Sequence, residues 1–165
     1  MGVLIDTGVF FGFYSKKDKQ HSNAIALIIH ALQGKWGRPY ITGHILDETI
    51  NILKYRISHE ISMEFLKAFI FSKNVEVITA EKEHIDAALT LYRQNYNLKG
   101  FSFTDALSVV ITKTFDLDYI LTFDKHLKKF VPIIGPSYVN TLTKEEIYEI
   151  QKYLGEVNEC KNLSK

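Results

Sequence analysis

Val3-Leu4-Ile5-Asp6-Thr7 near the start of the chain and Tyr119-Ile120-Leu121-Thr122-Phe123-Asp124 near its end decide how the sequence folds. Each is a short apolar run that breaks off close to an aspartate. Unbroken apolar character, as opposed to alternation, marks a strand buried on both faces, as in a parallel sheet covered by helices. Working outward, Tyr40-Ile41-Thr42 reads as a second very short strand, Val75 to Ile78 as a third, and Val131 to Ile134, before Gly135-Pro136, as the last.

Helical spacing fills the intervals. Ser22 or Asn23 caps a helix from Ala24 to Leu32 that Gly34 closes. Ile45, Thr49, Ile52 and Leu53 give a helix from His44 to about Tyr55, and further helices span Glu60 to Phe71 and, capped by Thr79, Glu81 to about Gln94. Ser102 and Asp105 open a helix carrying Ala106, Val109 and Val110, while the capping-box pair Thr143 and Glu146 starts a terminal helix from Lys144 to Tyr153. Strands alternating with helices predict an α/β sandwich around a mostly parallel sheet. Residues 1–140 form its body, and residues 141–165 add a helix and polar tail to the same unit.

Bulk composition narrows the function. The 165 residues are 46% hydrophobic, 13% aromatic and 24% charged, which is one globular domain. A net charge of +1 excludes a strongly basic protein that coats nucleic acid without selectivity, so a nucleic-acid partner must meet a local patch. The single cysteine, Cys160, excludes an intramolecular disulfide and a cysteine-rich metal site, and a reducing cytoplasm is the expected location. No run approaches the ~20 apolar residues of a membrane span, so no membrane association is expected.

Ligands of open parallel sheets bind beyond the carboxyl ends of the strands, where Asp6 and Asp124 stand. Glu48 lies in register with Ile45 and Ile52, which places a carboxylate on a core-facing stripe where it must be neutralised, paired or bound to a cation. Asp105 sits at the opening of an otherwise apolar helix. Four acids meeting at one point repel each other unless a cation lies among them. Oxygen ligands without Cys or a clustered His pair favour Mg²⁺ or Mn²⁺. Such an ion polarises a phosphodiester and acidifies a water.

These segments, together with Ile41-Thr42 leading to Glu48 and Ser102-Phe103-Thr104-Asp105-Ala106-Leu107, resemble the PIN-domain proteins, and within them the VapC-type toxins of prokaryotic toxin–antitoxin pairs. The resemblance follows the family's order and covers most of the chain. It implies a Rossmann-like three-layer sandwich and Mg²⁺- or Mn²⁺-dependent cleavage of RNA. It assigns Asp6, Glu48, Asp105 and Asp124 as catalytic metal ligands, with Thr7, Ser102 and Thr122 as supporting hydroxyls. It further implies a homodimer and an antitoxin protein as partner. Lys16, Lys17, Arg56 and Lys125 are the basic residues expected to meet RNA phosphates.

Plainer roles compete at each position. Asp6 can end a strand in a turn, Asp105 and Asp124 can cap helices, and Glu48 can reach solvent from the edge of its stripe. Asp6-Thr7-Gly8 also spells the aspartic protease triplet, which the helical alternation opposes, and an aspartyl phosphatase needs a second Asp where Gly8 stands. An RNA-processing nuclease that is not a toxin, or a PIN-like scaffold that binds without cutting, completes the alternatives.

Overall fold

The computed structural model describes residues 1–163, with side chains through residue 154, so Cys160 lies outside the described side chains. Five strands, β1 (Gly2–Ile5), β2 (Arg38–Thr42), β3 (Glu76–Ile78), β4 (Tyr119–Leu121) and β5 (Ile133–Ile134), form one sheet in the order β3-β2-β1-β4-β5. Every neighbouring pair is parallel. The central strand is β1, all four residues of which are buried, and its unbroken apolar run is explained by helices on both faces.

Among the described residues seven α-helices cover the sheet: α1 (Thr7–Tyr14), α2 (His21–Leu32), α3 (Gly43–Arg56), α4 (His59–Phe65), α5 (Lys82–Gln94), α6 (Phe103–Thr114) and α7 (Lys144–Leu163). The α1, α2, α3 and α4 helices pack as one group, and α5 packs on α6, which lies against β1 and β4. The result is the α/β sandwich that the alternation predicts, with the three layers that the resemblance implies.

Several elements differ from the expectations. Residues 7–14, Thr-Gly-Val-Phe-Phe-Gly-Phe-Tyr, form α1, an element the sequence reading does not assign. Two glycines and two aromatic pairs, Phe10-Phe11 and Phe13-Tyr14, carry no amphipathic stripe, and tertiary packing supplies the helix. Phe10 sits edge-on to Phe65 and Phe69 at centroid distances of 5.0 and 5.2 Å. The expected helix from Glu60 to Phe71 is two pieces, α4 and a π-helical turn over Leu66–Phe71 that carries Phe69 into this cluster. Helix α2 starts at His21, without a Ser22 or Asn23 cap: Asn23 instead accepts a hydrogen bond from the Val139 backbone at 2.9 Å. Thr79 does not cap α5; the Glu81 backbone N–H donates to His84 Nδ1 at 3.0 Å. The last strand spans two residues and omits Val131.

The carboxyl-terminal segment is pinned to the body. Tyr138 and His30 Nδ1 lie 2.7 Å apart in a buried hydrogen bond, and Lys35 pairs with Glu146 at 2.8 Å. The Thr143–Glu146 capping box forms as the sequence predicts.

Candidate active site at the carboxyl end of the sheet

Asp6 follows the last residue of β1 and serves as N-cap of α1. Its backbone N–H donates to Leu121 of β4 at 3.0 Å, so the β1–β4 pairing fixes where the side chain stands. Asp6 Oδ1 accepts from the Thr7 backbone at 2.8 Å and Oδ2 from the Thr122 hydroxyl at 2.7 Å. That hydroxyl in turn accepts the Asp124 backbone N–H at 3.0 Å. On the other side the buried Thr7 hydroxyl donates to Glu48 Oε2 at 3.1 Å. A single polar chain thus runs Asp124, Thr122, Asp6, Thr7, Glu48 through four elements.

Gly135 makes this geometry possible. A Cβ there would stand 1.8 Å from the Thr122 carbonyl oxygen, so only glycine lets the chain after β5 pass Thr122.

Asp105 is the third residue of α6. Its Oδ2 accepts from the Ser102 backbone and hydroxyl, both at 2.7 Å, and its own N–H donates to Ser102 Oγ at 3.1 Å. The expected capping box is therefore real, and it orients the carboxylate. Asp124 caps the 3₁₀ turn Lys125–Lys129 by accepting the His126 N–H at 2.8 Å.

Electrostatic influence links the acids in pairs, Asp6 with Asp105 and Glu48, and Asp105 with Asp124. Burial pushes the Asp6 carboxyl up to about 6; Asp105 and Glu48 add to the rise, against the Thr122 and Thr7 hydrogen bonds. Burial likewise raises Asp105, with Asp124 adding to the shift and Ser102 and His126 opposing it. Among the described residues none of the four carboxylates has a Lys, Arg or His ion-pair partner. An acidic pocket without a counter-charge is short of positive charge, and hard oxygen donors suit a hard divalent cation. Among the described residues no three His, Cys, Asp or Glu side chains are placed together to hold a metal ion. The fit is therefore one of charge and donor type in an open site.

One expectation about the acids fails. Glu48 is exposed and faces an open cleft of about 890 Å³ along α3, not the core. The stripe of Ile45, Thr49 and Leu53 is the buried face, and Glu48 lies beside it. Arg56 lines the same cleft and Lys125 adjoins Asp124, whereas Lys16 and Lys17 follow the far end of α1, about 12 Å of helix from Asp6. The structure does not bring those two lysines to the carboxylates. Asp47, which the sequence sets well around α3 from Glu48 and so outside the site, lines the cleft beside it, as do Asn51 and Tyr55, to which the sequence reading gives no site role. Their signal was the helical spacing from His44, read only for its apolar residues.

The acids stand at the carboxyl end of an open parallel sheet, the edge at which α/β folds of this class bind their ligands. The PIN domain family profile matches residues 3–131, and the chain belongs to that family. It is 39% identical over 156 residues to a VapC ribonuclease of Archaeoglobus fulgidus, an alignment covering 94% of this chain and 97% of the relative. Its fold is shared by the Sarcin-Ricin loop cleaving toxin VapC20 of Mycobacterium tuberculosis, with a TM-score of 0.67 and 20% identity over 81% of this chain and 99% of that one. VapBC2 of Rickettsia felis, solved bound to a DNA fragment from its promoter, matches with a TM-score of 0.59 and 16% identity over 81% of this chain and 98% of that chain.

Proposed function

We propose that the chain is an endoribonuclease, the toxin of a toxin–antitoxin pair, that hydrolyses RNA phosphodiester bonds with Mg²⁺ or Mn²⁺ held by Asp6, Glu48, Asp105 and Asp124. The observation that carries the reading is that these acids, just after β1 and β4 and on α3 and α6, influence one another electrostatically and, among the described residues, have no Lys, Arg or His within ion-pair distance. The relative named as a VapC ribonuclease supports the substrate class, and the likeness to VapBC2 supports a partner antitoxin. A homodimer belongs to the same proposal.

When bound, the metal supplies Lewis acidity at the phosphodiester and a more acidic attacking water. The chain's own residues prepare the place. Thr7 and Thr122 hold Asp6 at both oxygens, which fixes its rotamer before any ligand arrives. Ser102 secures one oxygen of Asp105, and the other accepts no hydrogen bond among the described residues. Lys125 and Arg56 supply positive charge on either side of the acids for the flanking phosphates.

Purified protein on mixed RNA tests this. Cleavage is expected with Mn²⁺ or Mg²⁺ and not with chelator, and Asp6→Asn and Asp105→Asn, each shown folded by circular dichroism, are expected to lower it on the order of a hundredfold or more. Cleavage that persists in both variants overturns the mechanism.

A further inference from the structure

The cleft that starts at Glu48 continues away from the acids along α3. His44, Glu48, Asn51 and Tyr55 follow at intervals of four, three and four, so they share one helix face, and all four line the cleft. Tyr55 lies two turns beyond Glu48, about 10 Å along the helix axis. The residue is 76% exposed, a large aromatic side chain left in water at the end of a cavity. The Lys54 ammonium sits 5.8 Å from the ring centroid, and Arg56 follows directly. Neither cation has an ion-pair partner among the described residues.

Charge is graded along this cleft. Glu48 and Asp47 make its near part acidic, and Asn51 Nδ2 holds Asp47 at 3.1 Å. Positive charge is confined to the Tyr55 end. A phosphate is repelled from the middle and attracted there, while an aromatic face accepts any unpaired base.

We propose that Tyr55 is a base-stacking subsite, with Lys54 and Arg56 holding the adjoining phosphate, for an unpaired nucleotide flanking the bond to be cut. The inference rests on the nuclease reading and deepens it by placing a contact for one unpaired nucleotide at the Tyr55 end of the cleft. A stacked base in a duplex has no free face to offer Tyr55.

The test measures binding of a labelled, mixed-sequence single-stranded RNA to the full chain carrying Asp6→Asn, with and without a second change. Tyr55→Ala is expected to weaken binding roughly tenfold, and Tyr55→Phe to preserve it. Arg56→Gln is expected to weaken binding and reduce its salt dependence by about one counterion. Tyr55→Trp in the same background is expected to lose indole fluorescence on adding the single strand and to keep it with the matching duplex. Unchanged affinity in Tyr55→Ala overturns the subsite. So does a Tyr55→Ala chain that sediments as a smaller species than its parent, which would make the cleft an interface between copies. If the Asp6→Asn parent binds no RNA and the unmodified chain cleaves none, the nuclease reading itself fails, and the subsite with it.

Discussion

Asp6 accepts two hydrogen bonds and is still harder to ionise than a free carboxyl, because burial, with Asp105 and Glu48 nearby, outweighs them. Its folded-state value of about 6 lies above the ordinary 3.8, so between these limits the folded chain keeps a proton that the unfolded chain has released. Stability therefore falls as pH rises through that window, and the penalty is complete at neutral pH. Asp6→Asn keeps the shape and removes the charge, and an amide can still accept from the Thr7 backbone. It is expected to raise the metal-free Tm at pH 7.5, by the equivalent of about 1–3 kcal/mol, when followed calorimetrically in chelator. Added Mn²⁺ is expected to stabilise the unmodified chain and not the variant. A variant less stable in chelator would show that the carboxylate is already compensated. Residues of this kind were legible where backbone and chemistry agree. Asp6 and Asp124 end apolar runs, and such endings face the ligand side of a parallel sheet. Glu48 was misplaced because its spacing from Ile45 and Ile52 matches the buried stripe, while its actual direction depends on how α3 rolls against β2.

Helix α6 carries Asp105 at one end and a buried defect near the other. The Thr112 hydroxyl is buried and has no hydrogen-bond partner among the described residues. Thr112→Val keeps the branched shape and deletes the unpaired group, so it is expected to stabilise by about 1 kcal/mol and to raise Tm by about 2–4 °C. Cleavage should be unchanged, because the capping box at the other end of α6 is untouched. A lowered Tm would mean that the hydroxyl has a partner. Capping explains which elements could be read from sequence. Ser102 with Asp105 and Thr143 with Glu146 satisfy their helices within four residues, so the signal is local. The α1 helix has no such signature beyond Asp6, and the π-helical turn at Leu66–Phe71 exists to seat Phe69, a demand made by Phe10 more than fifty residues away in the chain.

For the molecule as a whole, the sheet order was not readable in detail, since short strands such as β3 and β5 do not announce their neighbours. Alternation nevertheless sufficed for the layered class. What holds the carboxyl-terminal segment on that body has a pH signature. Burial, and then the Lys35 ammonium, lower the His30 value, so the ring packed against Trp36 and Tyr138 is neutral in the fold. Its contribution is complete above the ordinary value of 6.5 and declines below it, where the unfolded chain takes up the proton first. Tm is thus expected to fall more steeply as the pH drops below 6.5 in the unmodified chain than in His30→Gln, whose amide oxygen is an acceptor for the Tyr138 hydroxyl; equal slopes would remove His30 from the account. A different consequence follows from the hydrogen bond between Asp6 and Thr122, which lie 116 positions apart. The first acid made waits for nearly the last strand. At about 5–20 residues per second the ribosome carries several seconds' worth of polypeptide in which the four acids have not met. On the proposed nuclease reading, a chain broken off before β4 lacks both Asp124 and the Thr122 hydroxyl that holds Asp6, and is expected to be inert.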